Sequence, residues 1–159
     1  MKRSYCLDTG VFINSWSKNY PIDLFPSVWD HLDKLCRDNT VFVADVVAEE
    51  LFRQEDDVSQ WLRDRSKIII KKTQDDIFQM KEIVNQYPRL TSEGGTRSGA
   101  DPWLIAFAFR RKATVVTEEQ YSGRLNKPKI PDVCHDLELP HMNTIELLRV
   151  TGYRELARS

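Results

Sequence analysis

The chain has 159 residues, 41% of them hydrophobic and 30% charged, which suits one ordinary soluble domain able to bury its own core and argues against disorder. Its 23 basic and 24 acidic residues leave a net charge of −1, so composition carries no overall polyanion-binding signature. Cys6, Cys36 and Cys134 are odd in number and lack a CxxC pair, which excludes a disulfide framework and reads as buried thiols in a reducing compartment.

Along the chain, Lys2 and Arg3 precede an apolar stretch that breaks at Asp8. It is too short and polar for a signal peptide, and no segment approaches the ~20 apolar residues of a membrane span. The expectation is a cytoplasmic protein, one domain over residues 1–159, with no membrane association. Ser4-Tyr5-Cys6-Leu7 predicts a first strand, and Asp8 follows directly. Pro26 offers a helix start, and Val28, Trp29, Leu32, Leu35 and Cys36 share one helical face closed by Asp38-Asn39. Val41-Phe42-Val43-Ala44 is a second strand, with Asp45 placed to cap a helix carrying Val46, Val47, Leu51 and Phe52. A third helix runs through Val58, Trp61 and Leu62, and Ile68-Ile69-Ile70 is a third strand. Thr73 with Asp76 resembles a capping box for a helix through Ile77, Met80, Ile83, Val84 and Tyr87.

From Pro88 to Gly99 periodicity vanishes and Gly94, Gly95 and Gly99 collect, which predicts a mobile surface loop. Pro102 then starts an almost wholly apolar helix, Trp103 to Phe109, ended by Arg110-Arg111-Lys112; such a helix is central and buried. Ala113 to Thr117 is a fourth strand, and Asn143 with Glu146 forms a capping box for a last helix with Leu147 and Leu148. Strands separated by helices of crossover length indicate an α/β fold of three layers around a mainly parallel sheet. Cys134, His135 and His141 lack the paired spacing of a structural zinc site.

Open α/β sheets place their sites beyond the carboxyl ends of the strands. Asp8 ends the first strand there and Glu118-Glu119 the fourth, while Glu49-Glu50 lies in the first turns of the helix after the second strand. Asp101 opens the buried helix. Carboxylates gathered at one sheet end repel one another, and a bound divalent cation relieves this; oxygen-only ligands suit Mg²⁺ or Mn²⁺. Phosphodiester hydrolysis is the natural reaction class for such an ion. Ordinary roles also fit these acids: Asp101 as an N-cap before Pro102, Glu49 and Glu50 as first-turn acids favouring the helix dipole, and Glu118 and Glu119 as solvated turn residues.

These segments resemble a family. Tyr5-Cys6-Leu7-Asp8-Thr9-Gly10-Val11-Phe12-Ile13 is similar to the opening motif of PIN-domain nucleases, usually Leu-Asp-Thr-Asn followed by aliphatics. Ala48-Glu49-Glu50-Leu51, Ala100-Asp101-Pro102-Trp103-Leu104-Ile105-Ala106 and Val115-Val116-Thr117-Glu118-Glu119 resemble the family's second, third and fourth acidic segments, in order, and Lys129-Ile130-Pro131-Asp132-Val133-Cys134 resembles one bacterial branch of the superfamily. The resemblance implies a parallel sheet flanked by helices and Mg²⁺- or Mn²⁺-dependent cleavage of single-stranded RNA. For many bacterial members it also implies a role as the VapC-type toxin of a toxin–antitoxin pair, with a cognate antitoxin and a homodimeric state. By position Asp8, Glu50, Asp101 and Glu119 would be catalytic metal ligands, with Glu49 or Glu118 as substitutes. Thr9 and Thr117 would orient carboxylates or water. Gly10 departs from the usual Asn, and Glu119 stands where Asp is commoner.

Basic clusters offset the acidic one. Lys67, Lys71 and Lys72 flank the third strand, Arg110, Arg111 and Lys112 end the buried helix, and Arg124, Lys127 and Lys129 follow the fourth motif; each is placed to contact phosphates or to be a solvated face. Tyr121 and Trp103 are candidates to stack on bases, Trp103 equally a core residue. The leading expectation is an endoribonuclease toxin. Others are a weakly catalytic RNA- or protein-binding module and a DNA-directed nuclease, while a phosphatase with an Asp8 nucleophile would need an acid where Gly10 stands.

Overall fold

Residues 4–90 and 99–154 are described by the computed structural model. Among them five short strands form one parallel sheet: β1 (Tyr5–Leu7), β2 (Val41–Ala44), β3 (Ile69–Ile70), β4 (Thr114–Val116) and β5 (His141–Met142). Their order is β3-β2-β1-β4-β5. Tyr5 stands beside Val41 on one side and Thr114 on the other, so β1 is central. Every residue of β1 and β2 is buried. Because successive strand side chains point to opposite faces, both faces must be covered, and helices cover them.

Those helices are α1 (Thr9–Asn14), α2 (Pro26–Arg37), α3 (Asp45–Phe52), α4 (Asp57–Arg63), α5 (Gln74–Gln86), α6 (Ala100–Arg111), α7 (Ile130–Asp136) and α8 (Thr144–Val150). The apolar helix α6 packs on β1, β2 and β4, and α3 and α5 pack against it in turn. Away from α6, an aromatic cluster joins α1, α2 and α4. Trp61 lies 6.2 Å from Phe12 and 5.1 Å from Trp29 between ring centroids. The Trp29 indole N–H donates to the Tyr20 carbonyl at 2.7 Å, so its polar edge is satisfied inside the core.

Caps agree with the sequence at Thr73–Asp76 and Asn143–Glu146, where both capping boxes form. Several boundaries differ. Ser4 lies outside β1, and Ile68 closes a 3₁₀ turn, Ser66–Ile68, ahead of a two-residue β3. Ala44 rather than Asp45 is the N-cap of α3; Asp45 sits in the first turn and accepts from Val46 N–H. Likewise Gly99 is the N-cap of α6, which places Asp101 and Pro102 inside the first turn and removes the N-cap role considered for Asp101. The short elements α1, α7 and β5 had no periodicity long enough to announce them. Of the expected Pro88–Gly99 loop, Pro88–Leu90 is a 3₁₀ turn, and Gly94 and Gly95 lie outside the described residues.

Candidate active site

Sheet order locates the site. From β1 the chain steps outward through β2 to β3, then crosses back to β4 and on to β5. The direction of winding therefore reverses between β1 and β4, and in an open parallel sheet the crevice opens beyond the carboxyl ends at that reversal. Asp8 leaves β1 there, its N–H donating to the Val116 carbonyl at 3.0 Å. Thr117 leaves β4 beside it.

Asp8 is 9% exposed and Thr117 2%. The Asp8 carboxylate is held at both oxygens: Oδ1 accepts from the Thr9 N–H at 2.8 Å and the Thr9 hydroxyl at 3.4 Å, and Oδ2 accepts from the Thr117 hydroxyl at 3.0 Å. Burial pushes its pKa up to about 6, the Thr117 and Thr9 hydrogen bonds oppose this, and the negative charges of Glu119 and Glu50 add to the rise. Three acids from β1, α3 and the end of β4 thus share one electrostatic neighbourhood.

Neighbouring acids divide cleanly. Glu118 and Glu119 turn opposite ways after β4. Glu119 accepts from the Ile130 N–H at the start of α7 at 2.9 Å, and its own N–H donates to the Thr117 hydroxyl oxygen at 3.2 Å. Glu118 accepts from the backbone and hydroxyl of Thr144 at the start of α8. On α3, Glu50 acts on Asp8, whereas exposed Glu49 lines a separate cavity of about 590 Å³ with Phe52, Ile69, Lys71 and Lys72. Asp101 is placed by its helix: α6 leads into β4 through Lys112 and Ala113, so it runs against the strands and starts at their carboxyl edge. The Cys6 thiol meets the Leu104 carbonyl at 4.0 Å, and Asp101 lies nearly one turn earlier in α6.

The basic residues divide by sheet edge. Arg110 and Arg111 end α6, and Lys112 follows them shortly before the amino end of β4. Arg110 and Arg111 both donate to Asp76, at 2.6 and 2.8 Å to Oδ1. They thereby clamp α5 to α6. Lys67 also precedes its strand and donates to the Arg37 carbonyl at 3.0 Å. Lys71 and Lys72, which follow β3, and Arg124 and Lys127, which follow β4, stand at the carboxyl edge. Trp103 is a partly buried core residue with the Lys72 ammonium 5.7 Å from its ring centroid. Tyr121 is 55% exposed and lies against the His135 ring.

A residue the sequence reading left unassigned organises that second basic segment. Asp132 is 2% exposed and accepts from the Ser122 N–H at 2.7 Å, the Ser122 hydroxyl at 2.6 Å, and the N–H groups of Gly123 and Lys129 at 2.8 Å each. Burial would raise its pKa, but these bonds outweigh it and hold the carboxyl below its ordinary range. Gly123 takes φ +76°, which the turn around Asp132 requires and glycine adopts freely. An acid directly after Ile130-Pro131, at the third position of a helix opening, was the available signal.

The donor set suits a hard divalent cation: carboxylate oxygens, that of Asp8 raised by burial and then by its neighbours' charge, with no Lys or Arg paired to Asp8 among the described residues. As placed, no three His, Cys, Asp or Glu side chains among the described residues are arranged to hold an ion.

Comparison with known proteins fits this frame. Residues 5–154 match the family model described as "Domain of unknown function (DUF4411)". The chain belongs to the DUF4411 family. No curated protein matches it. Among solved structures, this DUF4411 chain is similar to VapBC2 from Rickettsia felis, solved bound to a DNA fragment from their promoter. There the identity is 15% and the TM-score 0.52, over 87% of this chain and 97% of that one. It is similar to VapBC-1 from nontypeable Haemophilus influenzae at 14% identity and TM-score 0.51, over 87% and 96%, and to FitAcB from Neisseria gonorrhoeae at 17% and 0.50, over 87% and 96%. The DUF4411 chain thus has the fold of VapC-type PIN domains, and no helix among its described residues is long and apolar enough to cross a membrane.

Proposed function

We propose that this chain is a metal-dependent endoribonuclease that cuts single-stranded RNA in the cytoplasm as the toxin of a toxin–antitoxin pair. The observation that carries the reading is Asp8: a carboxylate at the winding reversal of the sheet, its pKa raised first by burial and further by the charges of Glu119 and Glu50. Asp8, Glu50, Asp101 and Glu119 would hold Mg²⁺ or Mn²⁺. Such an ion supplies Lewis acidity toward water and toward phosphoryl oxygens. The chain's own contribution is orientation. Thr9 and Thr117 fix both oxygens of Asp8, and Thr117 couples Asp8 to the Glu119 backbone. The start of α7 anchors Glu119, while Arg124 and Lys127 hold the backbone phosphates of the strand. The fold shared with VapBC and FitAcB supports a cognate antitoxin as partner, and a homodimer accords with the same resemblance.

The test is cleavage of a labelled single-stranded RNA by pure protein with Mn²⁺, Mg²⁺ or EDTA, beside Asp101→Asn and a matched DNA strand. Metal-dependent product from RNA, lost in the variant, is expected; preferential cutting of DNA would replace the substrate, and no product under any condition would sink the enzyme. A second reading, a module that binds RNA without cutting it, is favoured by one observation: Glu118 and Glu119 already spend oxygens on the starts of α8 and α7. Strand binding without product would establish it.

A further inference from the structure

Gly10 lies inside α1 without the positive φ that would call for glycine, where glycine costs about 1 kcal/mol against alanine. What glycine gives there is space. A Cβ at position 10 would lie 3.6 Å from the Asn14 amide nitrogen, 3.9 Å from Glu118 Cβ and 4.0 Å from Asp8 Oδ2. Asn14 is one helical turn further on, on the same face as Gly10. Its amide is therefore brought over the bare backbone of Gly10, toward the acid that ends β1 and the acids that end β4. Half-buried Asn14 caps nothing at the π-helical turn Ser15–Asn19 that it opens, and among the described residues its side chain has no hydrogen-bond partner.

We propose that Asn14 is a substrate-contacting residue whose side-chain amide donates a hydrogen bond to a non-bridging phosphate oxygen of the strand at the cleavage position. The chemistry suits the place. A strand phosphate brought among carboxylates needs donors, and an asparagine amide supplies two N–H groups. A lysine there would compete with a cation for the carboxylates, and an acid would repel the phosphate; a neutral donor does neither. Asparagine side chains are ordinary partners of backbone phosphates. This inference rests on the nuclease reading, and the experiment separates the two.

Cleavage of single-stranded RNA is compared in wild type, Asn14→Ala and the double variant Gly10→Asn/Asn14→Ala, with Mn²⁺ affinity measured calorimetrically on each. A bond to a charged oxygen predicts that Asn14→Ala lowers cleavage about ten- to hundredfold with Mn²⁺ affinity unchanged. The double variant should recover most of the loss, because a side chain at position 10 enters the same space from a Cβ that meets nothing closer than 3.6 Å. Asn14→Ala cutting as fast as wild type overturns the inference, as does a loss that tracks weakened Mn²⁺ binding or that Gly10→Asn fails to recover. If wild type yields no metal-dependent product, the nuclease reading itself falls first.

Discussion

Asp8, which follows β1, and Asp76, in the first turn of α5, are both buried carboxylates, and they are treated in opposite ways. Asp76 is fully buried. It receives two guanidinium groups, from Arg110 and Arg111, and the backbone and hydroxyl of Thr73. Burial opposes its ionisation, yet these partners outweigh burial and hold it far below the ordinary carboxylate range. Among the described residues Asp8 receives two threonines, and burial with the charges of Glu119 and Glu50 drives it up to about 6. Among the described residues the charge balance of Asp76 is complete and that of Asp8 is left open. A buried acid satisfied internally reads as architecture, and one left wanting positive charge reads as a site.

Activity should separate the two acids most widely. Asp8→Asn should lower metal-dependent RNA cleavage about a thousandfold, ~4 kcal/mol of barrier, whereas Asp76→Asn measured in the same assay should keep cleavage within a few-fold while the fold holds. Next in size is stability. Asp76→Ala strands two partly buried guanidiniums and should cost about 3 kcal/mol in urea denaturation. Asp132 belongs with Asp76, since its four donors satisfy it. Asp132→Ala should cost about 2 kcal/mol by leaving buried donors unpaired, and faster proteolysis confined to residues 120–129 would locate the damage.

The smallest effect has the opposite sign. Asp8 keeps its proton to about pH 6 when folded, but an unfolded aspartate releases its proton near pH 4. Between these the unfolded chain binds fewer protons, so stability falls as pH rises from about 4 to 6 and is level above. Asp8→Asn should therefore stabilise the fold at pH 7 by on the order of 1–2 kcal/mol, less than the ~3 kcal/mol of the full shift because the amide cannot accept at both oxygens. The gain should vanish below pH 4. A destabilised Asp8→Asn at pH 7 would make Asp8 a structural acid like Asp76. A variant that is inactive yet more stable marks a group held for function.

Much of this frame was legible in the sequence. The β2 segment, the amphipathic α2, the apolar α6 and both capping boxes carry patterns long or specific enough to read. Asp8 at the end of an apolar run was legible for the same reason. The short elements were not: α1 is a six-residue helix that begins at the site and contains a glycine, and β3 and β5 are two residues each. The pairing of Arg110 and Arg111 with Asp76 was hidden for a different reason. Their partner Asp76 lies more than 30 residues away in sequence, and charge beside an acidic motif reads as substrate contact. Asn14 and Asp132 depend on who faces whom across a turn or a loop, which spacing does not encode.

The most direct test of the open charge balance at Asp8 is thermal unfolding of wild type, Asp8→Asn and Asp76→Asn with increasing Mn²⁺ at pH 7 and pH 5. A cation that binds only the folded chain at a hundred times its Kd adds about 2.7 kcal/mol. Tm should rise for wild type and Asp76→Asn, less at pH 5 where protons compete at Asp8, and should not rise for Asp8→Asn. An absent rise in wild type, or an equal rise in Asp8→Asn, would contradict an open charge balance at Asp8.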